Sequence, residues 1–173
     1  NNEFTVFECT TTRHDDTAPE WDNAPADVTI QCTDPIPAVA TFTATDNCEP
    51  DTPEVINAQF QGETVHNPSG DEGCYSIVRT WTATDACNNT ATHTQIITVE
   101  DTVAPTWDAY TPYVMESCLV ILTQEEAEDP SLVSITASDN CDSDIDYTIE
   151  AMEISGGCPT TWLRKWTAID DCG

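Results

Sequence analysis

Residues 79–90 read RTWTATDACNNT, and a close variant, RKWTAIDDCG, occupies residues 164–173. In both, a basic residue, Arg79 or Arg164, stands two positions before a tryptophan, Trp81 or Trp166, and an Asp precedes a Cys after the run of Thr and Ala. Apolar and hydroxyl residues alternate with a period of two, the pattern of a strand with one buried face. Because the stretch recurs, the fold is a repeat of strands.

Other words recur with it. DDTAPEWD (15–22) matches EDTVAPTWD (100–108), and TATDNC (43–48) matches TASDNC (136–141). Cys32, Cys48, Cys74 and Cys87 correspond in order to Cys118, Cys141, Cys158 and Cys172. Self-similarity at a fixed spacing marks a repeat architecture. The expected organisation is a segment 1–16 that ends a preceding module, a first module over 17–101 and a second over 102–173.

Period two governs each copy. Ala40, Phe42 and Ala44 alternate with Thr41, Thr43 and Thr45, as Val133, Ile135 and Ala137 do in the second copy. Further strands run through Val28 and Ile30, through Ile56, Ala58 and Phe60, and through Ile145, Tyr147, Ile149 and Ala151. Only LTQEEAED (122–129) has the composition of a helical turn or two. Short strands punctuated by Pro, Gly and Asn-Asp predict an all-β chain of tandem immunoglobulin-like β-sandwiches, elongated head to tail.

Composition narrows the function. Thirty-two acids against four Lys and Arg give a formal charge of −28, which disfavours nucleic acid and anionic membrane surfaces and favours cations. No apolar run reaches the ~20 residues of a membrane span. Nine cysteines without a CxxC pair are spaced for disulfides rather than zinc, which implies an oxidising, extracellular setting. His14, His66 and His93 share no motif, and the sequence carries no nucleophile elbow, Walker loop or zinc-protease signature. No catalytic residue is assigned and no enzyme is expected.

The words DTxAP followed by Trp, ATDNC, and RTWTATDxC resemble the hyalin-repeat modules of extracellular proteins. The resemblance implies extracellular, immunoglobulin-like, tandemly repeated domains with structural or adhesive roles at the cell surface. ACNN at 86–89 departs from the pattern, in which Gly follows the Cys, while DCG at 171–173 keeps it.

With strands A at 27–32, B at 38–46, F at 74–85 and G at 90–100, a sandwich of this kind runs B and F in the same direction. That geometry predicts the bridges Cys48–Cys87 and Cys32–Cys74, then Cys141–Cys172 and Cys118–Cys158. It also gathers acids at one pole: Asp16, Asp22, Asp46 and Asp85 in the first copy, and Asp101, Asp108, Asp139 and Asp170 in the second. Close carboxylates repel unless a hard cation with six to eight oxygen ligands sits among them, and Ca²⁺ fits. Asp101, between the copies, would stiffen the joint, an arrangement similar to the calcium-bridged linkers of cadherins. The plainer reading is that these Asp residues make Asx-turns at strand ends. DSDID (142–146) lacks the Gly and distal Glu of a calcium loop.

Trp21 and Trp107 follow the AP of each linker and are expected to plug the joint between modules, or to stand exposed as sugar platforms. Arg79 and Arg164 are expected to stack on an aromatic ring or pair with an acid. Asn88-Asn89-Thr90 is the usable glycosylation sequon.

The second copy stops at DDCG, before its strand G, and residues 2–12 align with the strand G of the first copy. This predicts either neighbouring repeats of a longer chain or separate subunits joined by donor-strand exchange, an open head-to-tail series in both cases. Cys9 has no counterpart and is expected to bond across subunits or stay free. The expected function is a cell-surface filament or adhesin stalk stiffened by disulfides and calcium, whose partners are copies of itself, glycans or cell surfaces. The alternative is a carbohydrate-binding module of a secreted protein.

Overall fold

The computed structural model of the chain describes residues 14–47, 53–67, 70, 73–108, 135–155 and 161–172. The helical turn expected at 122–129, together with Cys9, Cys48, Cys118 and Cys158, lies outside them. The described residues form strands and connections without a helix, so none crosses a membrane as a helix.

The strands are β1 (Glu20–Asp22), β2 (Val28–Gln31), β3 (Thr43–Asp46), β4 (Glu54–Asn57), β5 (Gln59–His66), β6 (Tyr75–Thr84), β7 (Thr90–Glu100), β8 (Thr106–Trp107), β9 (Ala137–Ser138), β10 (Asp146–Ser155) and β11 (Thr161–Ile169). They assemble into sheets ordered β1-β3-β4, β2-β7-β6-β5, β8-β9 and β10-β11. Strands A, F and G fall where the alternation places them. Strand B is shorter than expected, because regular pairing begins only at Thr43.

The run 54–66 is read from sequence as one strand from Ile56 to Phe60, but it is divided at Ala58. β4 pairs antiparallel with β3, and β5 belongs to the other sheet, beside β6. The Ala58 N–H at the break donates to the Phe42 carbonyl at 3.0 Å. Alternation survives such a crossing, so periodicity does not reveal it.

By contact the chain divides into two compact units, one of Asn1–Ala26, Ala38–Thr64 and Val78–Gln95, the other of Asp27–Pro37, Val65–Ile77 and Ile96–Gly173. The first unit is built around Trp81, fully buried with Ala44 and Ala83. The Trp81 ring lies 5.4 Å from Phe42, 5.4 Å from Phe60 and 6.0 Å from His93. Trp21 joins this cluster, 5.3 Å from Phe42 and 6.0 Å from His93. The tilted and edge-on geometries suit ring quadrupoles. His93 is thereby explained as a core histidine, its Nε2 2.9 Å from the Pro25 carbonyl.

Arg79 shares the inward face of β6 with Trp81 and is 4% exposed. Its Nε donates to Glu63 Oε2 at 3.0 Å, so pairing with an acid is its role. The counterpart Arg164 sits opposite Ala151 in the β10–β11 register.

In the second unit β2 runs parallel to the end of β7, from Val28 opposite Ile97 to Gln31 opposite Glu100. Ile77, Ile97, Val99 and Ala151 are its buried apolar residues among those described. β10 and β11 form a long antiparallel hairpin, and β8 pairs with β9. Trp107 opposes Ala137 here as Trp21 opposes Ala44 in the first unit.

The disulfides correct the expected pairing. Cys32 bonds Cys141, with Cα atoms 6.0 Å apart, and Cys74 bonds Cys172, at 5.8 Å. The bridges Cys32–Cys74 and Cys141–Cys172 are therefore not formed. Cys87 is a free, exposed thiol, and its expected partner Cys48 lies outside the described residues, as do Cys118 and Cys158. A same-module pairing assumes that each module staples itself, whereas both bridges join a cysteine of the first repeat to one of the second.

Candidate metal centres

Asp46 closes β3, Asp85 follows the end of β6, and Asp15 precedes β1. Carboxylate oxygens of all three lie within 4.8 Å of one another. Asp101, after β7, Asp139, after β9, and Asp170, after β11, form a second group on the same criterion. The two groups occupy equivalent places in the two repeats. The predicted convergence at the ends of strands B and F is thus found in each.

Not all expected members belong. Asp22 lies on β1 and accepts the hydroxyls of Thr43 and Thr45 at 3.1 and 2.6 Å. Asp108 does the same with Thr136 and Ser138, at 2.7 and 2.8 Å. Both acids fasten one strand to its neighbour and stand outside the carboxylate groups. Asp16 is exposed, and Asp15 takes the place expected for it. A signal for Asp15 exists: it precedes Trp21 by the same number of residues as Asp101 precedes Trp107, whereas matching the DT pairs selects Asp16.

Asx-turns hold the carboxylates in place, so the plainer reading is also found. Asp15 Oδ1 accepts the Thr17 N–H at 3.1 Å, Asp101 Oδ1 the Val103 N–H at 3.0 Å, and Asp170 Oδ1 the Cys172 N–H at 2.9 Å. Asp85 Oδ1 accepts the N–H groups of Cys87 and Asn89, both at 2.8 Å, and its Oδ2 accepts Asn89 Nδ2 at 2.8 Å. Asp139 Oδ1 accepts from Cys141 at 2.8 Å and Asp142 at 3.2 Å. Each turn commits one oxygen and aims the carboxylate. Oδ2 of Asp101 and Oδ2 of Asp139 are shut off from solvent and accept no hydrogen bond.

The surroundings favour the charged forms. Burial pushes the Asp85 carboxyl up, but the Asn89 side chain and the N–H groups of Asn89 and Cys87 outweigh it and hold the pKa below the ordinary aspartate value. Burial of Asp139 is likewise outweighed by the N–H groups of Cys141 and Asp142. The hydroxyls of Thr136 and Ser138 lower Asp108. Asp85 and Asp139 therefore enter their groups as anions, although like charges stand close by.

Such a donor set fits a hard cation. Oxygens at 2.3–2.6 Å from one calcium ion lie at most about 5 Å apart, which matches the spread of each group. All six side chains of these two groups offer carboxylate oxygens, without the imidazole or thiolate that zinc and copper prefer; the sulfurs of Cys32 and Cys141, which group with Asp101 within 4.8 Å, are committed to their disulfide. The buried, unsatisfied oxygens of Asp101 and Asp139 are costly unless a cation accompanies them. DSDID contributes differently: Asp142 is buried and accepts the N–H groups of Asp144 and Asp171, at 2.8 and 3.0 Å, as a turn anchor.

The two linker tryptophans differ. Trp21 lies in the aromatic cluster of the first unit, whereas Trp107 is 43% exposed, 6.1 Å from Tyr147, itself 38% exposed.

Comparison of the chain with family models, curated proteins and solved structures finds no match.

Proposed function

We propose that the chain is a pair of immunoglobulin-like modules of the hyalin-repeat kind from an extracellular filament or adhesin stalk, with calcium in both carboxylate groups. The observation that carries this reading is the recurrence of one three-carboxylate arrangement at equivalent places in two repeats. A catalytic pair of acids serves one substrate and has no reason to recur with the repeat. A structural ion recurs because each module has the same strand ends to hold. The disulfides support an oxidising, extracellular setting, and the charge of −28 makes cation binding the chemistry by which such modules stand close to one another. Copies or neighbouring repeats then follow head to tail as an open series. Electron microscopy of the purified protein in calcium and in chelator tests this. Filaments that soften or separate in chelator are expected, and dispersed particles under both conditions count against it.

A second reading has its own observation. Trp107 and Tyr147 present two exposed, adjacent rings, and aromatic faces are the platforms on which sugars stack. Glycan binding that Trp107→Ala abolishes favours a carbohydrate-binding module.

A further inference from the structure

Asp101 belongs to two groups at once. It offers an oxygen within 4.8 Å of the carboxylates of Asp139 and Asp170, and one within the same distance of the sulfurs of Cys32 and Cys141. The first set is all oxygen and the second holds two sulfurs, so the two sets select different metals. While Cys32 and Cys141 are bonded to each other, neither sulfur is a thiolate, the form that binds metal. The disulfide therefore leaves Asp101 to the oxygen set.

All three residues are held in place by bonds that do not pass through the disulfide. The Cys32 N–H donates to the Glu100 carbonyl at 3.0 Å, next in the chain to Asp101. The Cys141 N–H donates to Asp139 Oδ1 at 2.8 Å. Asp101 Oδ1 accepts the Val103 N–H at 3.0 Å, and its Oδ2 is shut off from solvent without a hydrogen-bond donor among the described residues. Asn140 Nδ2 donates to Cys141 Sγ at 2.7 Å and to Cys32 Sγ at 3.4 Å, as outer donors do to the sulfur ligands of a metal. Tetrahedral zinc ligands at 2.0–2.3 Å from the ion stand about 3.3–3.8 Å apart. Small side-chain rotations bring the three atoms from within 4.8 Å onto one ion once the sulfurs part.

We propose that reduction of Cys32–Cys141 turns this corner into a zinc site, with Cys32, Cys141 and Asp101 as ligands and water as the fourth. The zinc set stands on its own residues, and only its competition with calcium for Asp101 rests on the reading above. A small dithiol supplies the electrons. One of its thiolates attacks the Cys141 sulfur, the S–S bond breaks and Cys32 leaves as a thiolate. The second thiolate of the reductant attacks the mixed disulfide, frees Cys141 and closes a disulfide within the reductant. Two electrons and two protons pass from the dithiol to the two cysteines, and zinc then displaces the protons. Because Asp101 serves one ion at a time, the state of one bond selects the metal.

The test reduces the full chain with dithiothreitol, removes the reductant under nitrogen, and titrates Zn²⁺ by calorimetry and Co²⁺ by absorption, which reports tetrahedral thiolate ligation. Reduced wild type is expected to bind one more zinc ion than reduced Cys32→Ser/Cys141→Ser protein, and the sulfur-to-cobalt charge-transfer band should weaken in that variant. Cys74→Ser/Cys172→Ser and Asp139→Asn proteins should keep the site. Asp101→Asn should lower zinc affinity about tenfold or more, since even an outer-sphere partner is worth that much. The two Asp variants retain every cysteine and read the site independently of how the serine variants fold. Zinc binding that is equal in wild type and Cys32→Ser/Cys141→Ser protein, or unmoved by Asp101→Asn, overturns the proposal. Zinc in the reduced protein without calcium in the oxidised one would uphold this site and remove the calcium reading. Calcium without zinc would do the reverse.

Discussion

Asp46 at the end of β3 and Asp85 just past β6 place carboxylate oxygens within 4.8 Å of one another, although the strands that carry them belong to different sheets. The two strands thus end at one pole, and Asp15 completes the group there. Asx-turns aim Asp15 and Asp85, and Asn89 Nδ2 donates to Oδ2 of both, at 3.4 and 2.8 Å.

Substitutions should therefore separate ligands from struts. Asp85→Asn and Asp139→Asn each remove one site, and calcium stoichiometry by calorimetry is expected to fall from two ions per chain to one. Asp22→Ala breaks two hydrogen bonds to threonine hydroxyls and should cost about 1–3 kcal/mol of stability. Asp108→Ala should lower the melting temperature as well. Both of these variants should retain two calcium ions, and loss of an ion in either returns Asp22 or Asp108 to the ligand set.

Trp81 is fully buried among Phe42, Phe60 and His93. Trp81→Ala should cost about 3–5 kcal/mol, read as a lower urea midpoint with the disulfides intact. An unchanged midpoint would mean that the aromatic cluster does not hold the first unit together.

Gly73 is a contact point of the second unit. A Cβ there would stand 3.2 Å from Cys172 Sγ, 3.3 Å from Asp101 Cβ and 3.3 Å from Cys141 Cβ. Gly73→Ala should therefore press on both disulfides and one carboxylate group at once, costing roughly 1–3 kcal/mol and weakening calcium at the Asp101 site. Calcium affinity at the Asp15 site, measured in Asp139→Asn protein, should not change.

Acid should destabilise the calcium-free protein in a defined window. Asp85, Asp108 and Asp139 have folded-state pKa values below the ordinary one, so their anions add stability that is fully present above the unfolded value of about 3.9. That contribution is lost as pH falls through the lower folded values. The melting temperature in chelator should be level from neutral pH to about pH 5 and fall steeply below about pH 4. Asp85→Asn should flatten the fall.

The two longest strands of the first repeat were legible because one face of each is buried: Ile77, Arg79, Trp81 and Ala83 alternate in β6, as Gln95, Ile97 and Val99 do in β7, whereas β4, β5 and β8 are exposed along nearly their whole length. The carboxylate groups were legible because strand ends can be counted and topology brings them together. Three things were not. The switch of sheets at Ala58 leaves alternation unbroken. The exchange of Asp16 for Asp15 turns on one extra residue, Val103, in the second linker. Disulfide partners depend on which repeat faces which cysteine, and spacing within a repeat carries no record of that.

The most direct test is thermal unfolding of the wild-type protein in chelator and in a hundredfold excess of calcium over Kd. Calcium bound to the folded state at one group should add about 2.7 kcal/mol, a rise of roughly 5–15 °C, with two ions per chain by calorimetry. Identical melting temperatures in the two conditions, with no heat of calcium binding, would contradict the account.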